Sequence, residues 1–411
     1  MNITITPAKL HGSITPPPSK SQAHRLLMTA ALSQGESHIT NLSYSQDILA
    51  TLDCLEQLGT HIQRGDSWVK IRGLSRKNRT ELPHLNCRES GSTLRFMIPV
   101  ALAAAGGGIF TGAGRLLERP QGPYQTMFQE KDLQFDHSPS SILVQGLLSP
   151  GVFTLAGDVS SQFITGLLYA LPLLGGDSEI LLTTPLESKN YVDMTILALN
   201  AFGVSVQETD TGYRIPGNQH YSPKNMAVES DYSQSAFYYA ANGLGNQVQI
   251  EGLNPNSAQG DRRIVSYYEA LCGTGEVELD VSQCPDLVPA LALHAALRDG
   301  QNTAIVNAGR LRIKESDRLA TVTRELNNLG AHVEEFENHL VIRGVSSFHG
   351  GNVQAHNDHR IAMMLAIAAT RADGPVHLSG AESVNKSYPS FWEDYKALGG
   401  RFSICQEGDT P

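Results

Sequence analysis

The amino-acid sequence predicts an α/β protein built from two domains. Its 411 residues exceed what one hydrophobic core usually supports, and 41% hydrophobic with 18% charged residues is the composition of a folded chain. Helical patterns alternate with strand patterns along the whole chain, which is typical of packed sheet and helix layers. A recurring motif, a helical run that ends in glycine and leads into alternating residues, divides the chain into similar units.

The glycine of this motif marks the end of a helix, because a residue without Cβ adopts the left-handed conformation at no steric cost. The motif occurs around Gly59, Gly203, Gly273, Gly330 and Gly399. A degenerate copy near residues 131–135 brings the number of units to six. Six units in two domains predict three repeats in each domain.

Each unit also contains a second helix with a capping-type start. These helices are predicted at residues 19–32, 90–105, 160–174, 233–244, 286–297 and 357–369. The polar stretch 217–224 is a candidate linker near the middle of the chain. A ligand site is then expected in the cleft between the two domains.

The charge balance argues against nucleic acid and membrane as partners. A formal net charge of −10 repels polyanions and anionic lipid. The longest apolar stretch is broken by Pro99 and Gly106, so it is too short to cross a bilayer. The N-terminus lacks the pattern of a signal peptide, and the five cysteines form no CxxC pair, so we expect a cytoplasmic protein.

Many basic residues nevertheless occur in short segments beside Gly, Ser or Pro, which indicates a pocket for small anions. Residues 16–25 lead from three prolines into a helix whose first turn carries Lys20 and Ser21, where backbone N–H groups and the helix dipole attract anions. Arg25 follows Ser21 by four residues and is expected on the same helix face. The alternative is an ordinary capped helix with a solvated lysine and arginine.

The densest group of cations lies in residues 310–318. As a strand, this segment would place Arg310, Arg312 and Lys314 on one face, and Ser316 would cap the helix that follows. Like charges crowded in this way are costly unless an anion lies among them. A solvated edge strand is the alternative.

Three other segments carry weaker signals. Residues 88–95 and 158–162 are hydroxyl-rich helix starts, and Arg119 lies on a turn; each alone is compatible with simple capping. His356 and His359 are three residues apart, not the four that place two imidazoles on one helix face, so no metal site is predicted. A helix start that directs Arg360 at an anion is the better interpretation.

Taken in order, four motifs resemble those of the 5-enolpyruvylshikimate-3-phosphate (EPSP) synthase family of enolpyruvyl transferases. They are SKS at 19–21, SSQ at 160–162, KESDRL at 314–319 and NDHR at 357–360. The resemblance runs from Pro18 to about Tyr388. It implies a two-domain inside-out α/β barrel, each domain with three strand–helix repeats around buried helices. The N-terminal domain would be residues 14–220 and the C-terminal domain 1–13 plus 221–411, with the active site in the interdomain cleft.

The resemblance also implies the reaction. The family transfers the enolpyruvyl group of phosphoenolpyruvate to the 5-hydroxyl of shikimate 3-phosphate by addition and elimination, on the pathway to chorismate and aromatic amino acids. It implies a transferase that needs no metal or organic cofactor, and we expect a monomer. Two proton transfers are required. By position, Glu315 would be the acid toward the methylene carbon and Asp286 the base toward the hydroxyl, with Lys20 and Lys314 assisting.

The same resemblance assigns the residues that bind the substrates. Shikimate 3-phosphate would be bound by Lys20, Ser21, Arg25, Ser160, Ser161, Gln162, Ser188, Asp286, Arg310 and Lys314. Phosphoenolpyruvate would be bound by Lys20, Gly91, Arg119, Gln162, Arg318, Arg360 and Lys386. Arginine forks suit carboxylate and phosphate groups. Glu89, Phe96 and Arg310 depart from the family's usual residues, which concerns fine contacts rather than the reaction.

Two other functions stay open at this point. The first is UDP-N-acetylglucosamine enolpyruvyl transferase, which shares the fold and phosphoenolpyruvate. That relative typically has a reactive cysteine in the loop before an Arg-Pro pair, and the corresponding loop 112–120 has none. The second is a non-catalytic protein that binds phosphate or RNA ends; Lys20, Asp286, Glu315 and the acidic balance argue against it.

Overall fold

The computed structural model describes residues 1–74 and 81–405, which form parts of two compact units. The split unit comprises Met1–Pro17 and Ser230–Pro411, and the continuous unit comprises Pro18–Glu229. The chain therefore changes units after Pro17 and after Glu229, whereas the sequence interpretation placed these changes after residues 13 and 220. Each unit has its own hydrophobic core.

The strands are short, as expected for alternating segments between helices. In chain order they are β1 Asn2–Thr6, β2 His11–Ile14, β3 Glu36–Thr40, β4 His61–Arg64, β5 Trp68–Arg72, β6 His84–Asn86, β7 Gly107–Thr111, β8 Gln134–His137, β9 Ile142–Gln145, β10 Val152–Leu155, β11 Ser178–Leu182, β12 Gln207–Thr209, β13 Gly212–Ile215, β14 Met226–Ala227, β15 Gln247–Ile250, β16 Val277–Asp280, β17 Asn302–Val306, β18 His332–Glu335, β19 Leu340–Arg343, β20 Gly351–Gln354, β21 Val376–Ser379 and β22 Arg401–Ile404.

The helices alternate with these strands. They are α1 Lys20–Leu32, α2 Gln46–Gln57, α3 Gly91–Ala105, α4 Gly122–Gln129, α5 Ser161–Ala170, α6 Lys189–Ala201, α7 Tyr232–Gly243, α8 Ile264–Cys272, α9 Val288–Ala296, α10 Arg318–Asn328, α11 His359–Ala368 and α12 Phe391–Ala397. Short 3-10 helices at Leu116–Glu118, Leu171–Leu173, Gly260–Arg263, Pro285–Leu287, Gly309–Ile313, Ala369–Arg371 and Ala381–Lys386 extend or precede them.

The sheets repeat one pattern, which confirms the predicted α/β fold. Within residues 1–74 and 81–405, five sheets have four strands, in which one parallel pair is followed by two antiparallel pairings: β14-β3-β5-β4, β6-β7-β9-β8, β10-β11-β13-β12, β16-β17-β19-β18 and β20-β21-β1-β22. The sixth sheet has two strands, β15 and β2. Three sheets lie in each unit, because strands β3–β14 fall within residues 18–229.

Six of the helices pack in the interior of their units, and they are the six predicted second helices. Every residue of α9 and of α11 is buried, as is nearly all of α5. A helix that is apolar on all sides is stable only when surrounded by other elements. The small sheets therefore cover buried helices, which is the inverse of a barrel with helices outside.

Helices α3 and α5 pack closely because of one glycine and one proline. A Cβ on Gly166 of α5 would lie 2.3 Å from the Arg95 carbonyl oxygen and from Tyr124 Oη, so only glycine fits. Pro99 lacks the N–H that the Arg95 carbonyl would otherwise accept within α3. Tyr124 Oη instead donates to the Arg95 carbonyl at 2.8 Å or to that of Phe163 at 2.9 Å. This packing holds the segment of α3 that carries Arg95.

Most of the predicted helix stops are confirmed. Gly59, Gly203, Gly330 and Gly399 all have positive φ. The helix also stops before Gly273, but the left-handed conformation expected there is absent, because Gly273 is extended with φ −73° and ψ 173°. There α8 ends at Cys272 and the left-handed residue is Gly275, two positions later.

Candidate active site

In the continuous unit the N-termini of three buried helices carry the predicted anion-binding residues. Ser19, Ser90 and Ser160 are the N-caps of α1, α3 and α5, and each side chain accepts a backbone N–H of its own first turn. Capping satisfies one of the N–H groups there, and the positive end of the helix dipole still favours anions. The predicted residues Lys20, Ser21, Gly91, Ser161 and Gln162 lie in these first turns.

Gly91 lies where three polar side chains converge. A Cβ at this position would be 2.9 Å from Arg119 Nη1, 3.5 Å from Gln162 Oε1 and 3.9 Å from Arg95 Nη1. Arg95 Nη1 donates to Gln162 Oε1 at 2.7 Å, and Gln162 Nε2 donates to Ser92 Oγ at 3.0 Å. The structure thus brings Gly91, Arg119 and Gln162 together. Arg95, which the sequence interpretation left out of the site, orients Gln162.

Arg25 is a buried cation with neutral partners. Its Nε donates to Thr195 Oγ1 at 2.9 Å, its Nη1 to the Ser21 carbonyl at 2.7 Å and its Nη2 to the Tyr191 carbonyl at 2.7 Å. Only 3% of the residue is exposed, and burial lowers its pKa. A guanidinium without a carboxylate in a low-dielectric place gains from a nearby anion.

Helix α6 provides two of the three partners of Arg25, Tyr191 and Thr195, and also places Ser188. Ser188 precedes this helix and adopts φ +55°, which is uncommon for a residue with a Cβ. It is 3% exposed and lies one turn before Tyr191, whose carbonyl holds Arg25. Lys20, at the start of α1, pairs with Asp47 of α2 at 2.6 Å, a partner that the sequence interpretation missed.

In the split unit a single buried guanidinium joins the two predicted proton carriers. Arg318 is 1% exposed. Its Nη1 donates to Asp286 Oδ1 at 2.9 Å, its Nη2 to Glu315 Oε2 at 2.6 Å and its Nε to Asp358 Oδ2 at 2.8 Å. Asp286 and Glu315 therefore both accept hydrogen bonds from Arg318.

Asp286 receives two further cations. Arg360 Nη2 donates to Asp286 Oδ2 at 3.1 Å, and Lys314 Nζ lies 3.6 Å from Oδ1. Burial alone would raise the pKa of Asp286, but Arg360, Lys314 and Arg318 together hold this pKa well below its usual range. For Lys314 burial dominates and lowers the pKa of the ammonium group, although Asp286 opposes the shift.

Asp358 anchors this cluster from the start of α11. It is fully buried, caps the helix by accepting Arg360 N at 2.9 Å, and also accepts Ser316 Oγ at 3.0 Å. Burial would lower the pKa of Arg318, yet Asp358, Glu315 and Asp286 raise it above its ordinary value, so the guanidinium stays charged. The motif at 357–360 contained this aspartate, but its role as the third carboxylate was not predicted.

The strand predicted for residues 310–314 is wrong. Gly309–Ile313 is a 3-10 helix, so Arg310, Arg312 and Lys314 do not share a strand face. Arg312 Nη1 lies 3.0 Å from Asp317 Oδ2 and 2.6 Å from Glu335 Oε1. These ion pairs neutralise Arg312, so its charge does not require the bound anion that the sequence had suggested. Arg310 Nη2 donates to the Ser282 carbonyl at 2.6 Å, four residues before Asp286.

Lys386 and Asp261 are two further buried charged residues near the cluster around Arg318 and Asp286. Lys386 ends the 3-10 helix Ala381–Lys386, is 7% exposed, and donates to the Asn357 carbonyl at 2.5 Å. Asp261 is 4% exposed, and burial followed by the charge of Asp286 raises its pKa to about 6. The sequence did not indicate that Asp261 is buried, because an aspartate followed by two arginines is typical of an exposed ion pair.

The part of the chain that the structure describes supports neither a metal site nor a membrane-spanning helix. Within residues 1–74 and 81–405, His, Cys, Asp and Glu side chains form no group of three or more that could hold a metal ion. Over the same ranges, the helices lack the combination of length and apolar character that a bilayer crossing requires.

Repeated α/β units with cations grouped at helix starts and beside buried carboxylates are typical of a class of protein, enzymes that act on small anions. A family model described as EPSP synthase (3-phosphoshikimate 1-carboxyvinyltransferase) matches residues 5–395. A 3-phosphoshikimate 1-carboxyvinyltransferase of Clostridium kluyveri is 45% identical over 99% of this chain and 99% of its own, and one of Clostridium perfringens strain 13 is 42% identical over 97% and 98%. The solved EPSP synthase of Acinetobacter baumannii superposes with a TM-score of 0.80 at 25% identity, covering 98% of this chain and all of the other. The chain belongs to the EPSP synthase family.

Proposed function

We propose that this chain transfers the enolpyruvyl group of phosphoenolpyruvate to the 5-hydroxyl of shikimate 3-phosphate and releases phosphate, on the shikimate pathway to aromatic amino acids. The family match over residues 5–395 supports the reaction. The observation that carries the proposal at the level of residues is the pair of carboxylates, Asp286 and Glu315, held on the buried guanidinium of Arg318. Two carboxylates in one cluster can serve the two proton transfers that the reaction needs.

The cations bind the two anionic substrates in this proposal. Phosphoenolpyruvate is bound by Lys20, Gly91, Arg119 and Gln162 of the continuous unit and by Arg318, Arg360 and Lys386 of the split unit. Shikimate 3-phosphate is bound by Lys20, Ser21, Arg25, Ser160, Ser161, Gln162 and Ser188 and by Asp286, Arg310 and Lys314. Arg25 is the strongest candidate for a phosphate group, because the partners described for it are two carbonyls and a hydroxyl.

The chemistry consists of an addition followed by an elimination. In the addition, the 5-hydroxyl oxygen bonds to C2 of phosphoenolpyruvate, Asp286 accepts the hydroxyl proton, and Glu315 gives a proton to C3. In the elimination, the bond from C2 to the phosphate oxygen breaks and phosphate leaves with the proton held by Asp286. C3 returns a proton to Glu315, which restores the double bond and both carboxyl groups. Lys20 and Lys314 assist by stabilising the negative charge that moves to phosphate.

Substrate binding can turn Asp286 into a base. Without substrates three cations keep its pKa low, which makes it a weak proton acceptor. An anionic substrate that takes over the hydrogen bond of Arg360 and the ion pair of Lys314 removes part of this stabilisation and raises the pKa of Asp286. The carboxylate then gains basicity only when the substrates are present.

Phosphate release and product mass test the function. The purified protein is expected to release phosphate with phosphoenolpyruvate plus shikimate 3-phosphate, and not with phosphoenolpyruvate plus UDP-N-acetylglucosamine. Glu315→Gln keeps the shape but removes the acid, so kcat should fall by about 10²–10⁴. Glu334→Gln, at an exposed position of β18, is the matched control. Release only with the UDP-sugar, or RNA binding without turnover, would refute the proposal.

We further propose that the enzyme acts as a monomer in the cytoplasm without a metal or organic cofactor. All five cysteines are free thiols, which is the usual state in a reducing compartment. Elution at 44.5 kDa in size-exclusion chromatography supports the monomer, and elution at twice this mass contradicts it. Full activity after dialysis against a chelator supports the absence of a metal, and restoration by an added metal contradicts it.

A further inference from the structure

A chain of buried hydrogen bonds links three helices of the continuous unit, and the substrate-binding assignments above do not use it. It begins at His24 on α1, whose Nδ1 lies 2.8 Å from Thr51 Oγ1 on α2. Thr51 Oγ1 lies 2.7 Å from Thr93 Oγ1 on α3, and Thr93 Oγ1 donates to Ser90 Oγ at 2.8 Å. His24 is 1% exposed, and the other three residues are fully buried.

One arrangement of protons satisfies all three contacts of this chain. A hydroxyl has one proton, and that of Thr93 goes to Ser90 Oγ at 2.8 Å, with the Asp47 carbonyl a longer acceptor at 3.5 Å. Thr51 must then donate to Thr93. With the proton of Thr51 used in this way, His24 Nδ1 must carry a proton and donate it to Thr51.

His24 is therefore assigned as the Nδ1–H tautomer of a neutral imidazole. Burial, followed by the charges of Lys20 and Arg25, lowers its pKa well below the ordinary value. The other ring nitrogen, Nε2, has no hydrogen-bond partner among the described residues. An apolar side chain could fill this space without leaving a polar atom unpaired, so packing alone does not account for an imidazole here.

Both ends of the chain lie at proposed phosphoenolpyruvate contacts. Ser90 caps α3 and takes Thr93 N–H at 3.2 Å, and the next residue is Gly91, beside Arg119 and Gln162. At the other end, Lys20 is one turn before His24 on α1 and pairs with Asp47 of α2. Hydrogen bonds are directional, so this chain restricts the positions of α1, α2 and α3 relative to one another more than apolar contacts alone would.

We propose that His24 is a positioning residue for phosphoenolpyruvate binding, because its Nδ1–H donor orders the Thr51–Thr93–Ser90 hydroxyl chain that fixes Gly91 relative to Lys20. This inference rests on the proposed function. The competing explanation is that His24 only fills space against Phe96, whose ring meets the imidazole edge-on at 6.3 Å.

Kinetics of matched variants separate these explanations. Thr51→Val keeps the shape and removes the hydroxyl, and His24→Leu removes the donor, so each should raise KM for phosphoenolpyruvate by about five- to tenfold, the value of one lost buried hydrogen bond. KM for shikimate 3-phosphate and kcat at saturation should change by less than about twofold, because the group that the chain positions is Gly91, which is assigned to phosphoenolpyruvate alone, and the chain has no hydrogen bond to Asp286, Glu315 or Arg25. Thr51→Ser keeps the hydroxyl, and His24→Asn offers an N–H donor, so both should stay near the wild-type KM.

A second readout does not depend on activity. Nitrogen-15 NMR of labelled histidine should show His24 protonated at Nδ1 and unprotonated at Nε2 from pH 6 to 8, and in Thr51→Val the Nδ1 signal should shift. The opposite tautomer, or protonation of both nitrogens in this range, overturns the proposed chain.

The two readouts keep failure of the inference distinct from failure of the proposed function. A wild-type protein without turnover refutes the function, while the NMR result still decides the proton arrangement. If the wild type turns over and Thr51→Val and His24→Leu leave KM for phosphoenolpyruvate within twofold, the positioning role is refuted. An equal loss of kcat and of both affinities in these variants, with no recovery in His24→Asn, also overturns it and indicates a structural role.

Discussion

Replacing Arg318 by methionine should destabilise the split unit more than a typical substitution. Arg318 is 1% exposed and is the partner of three carboxylates, of which Asp358 is 0% exposed. Without the guanidinium, Asp358 keeps the hydrogen bonds from Ser316 Oγ and from the Arg360 backbone N–H. It loses its ion pair with Arg318. Breaking a buried ion pair from one side costs about 3–5 kcal/mol, because an uncompensated charge stays behind.

A second substitution measures how much of this cost is the stranded charge. Asp358→Asn removes that charge, so the double variant Arg318→Met with Asp358→Asn should be more stable than Arg318→Met alone. Asp358→Asn by itself should cost only about 1–3 kcal/mol, because Arg318 still has Asp286 and Glu315. The two changes should therefore be strongly non-additive.

The chain offers a clean fluorescence assay for this prediction. Its two tryptophans are divided between the units: Trp392 lies in the split unit and Trp68 in the continuous unit. Urea unfolding in a Trp68→Phe background then reports the split unit through Trp392, which is 8% exposed. A loss below about 1 kcal/mol in Arg318→Met, the value of an exposed pair, would refute the reasoning.

Three further substitutions probe other features. Gly91→Ala places a methyl group 2.9 Å from Arg119 Nη1, so kcat/KM for phosphoenolpyruvate should fall by about ten- to a hundredfold in steady-state assays. Asp261→Asn removes a carboxyl whose pKa is raised to about 6, against about 4 in the unfolded chain. The protonated acid stabilises the native state at low pH, and this contribution is lost as pH rises from about 4 to 6, so wild type should lose about 2–3 kcal/mol relative to the variant over that range in urea unfolding. Gly166→Ala adds a methyl group 2.3 Å from Tyr124 Oη, which should cost about 1–3 kcal/mol, seen as a lower Tm.

The two glycine substitutions have matched controls. A methyl group on Gly122 or Gly175 meets no atom within 4 Å, so alanine at these positions should leave kcat/KM and Tm close to wild type. Unchanged kcat/KM in Gly91→Ala would contradict the assignment of Arg119 to phosphoenolpyruvate binding. A stability difference for Asp261→Asn that does not vary with pH would show that this carboxyl titrates normally, and an unchanged Tm in Gly166→Ala would mean that α3 and α5 can separate at little cost.

The repeating fold could be predicted because its signals are local. A capping serine, a run of apolar residues and a closing glycine each have a physical cause within a few residues of chain. The helix stop at Gly273 was located correctly, but the left-handed residue is Gly275, because the segment offers two glycines and only the backbone geometry decides which one has positive φ.

The candidate site could be predicted only in part, because it depends on pairing between distant segments. Motifs located the cations, but the acidic partners Asp47 and Asp358 became apparent only once the helices were packed. The predicted strand at 310–314 failed for the same reason. Alternating charges resemble a strand face in sequence, whereas Arg312 is in fact neutralised by Asp317 and by Glu335 of another element.

The placement of β1 has a consequence for how the protein is made. Among the described strands β1 is synthesised first, yet it lies between β21 and β22, with Asn2 opposite Ser379 and Ile3 opposite Ile404. Its backbone groups must wait for partners until β21 and β22 have been made, whereas residues 18–229 can fold as soon as they emerge. A ribosome that stops before β22 therefore releases a chain with an unprotected strand edge, the kind of surface on which aggregation begins.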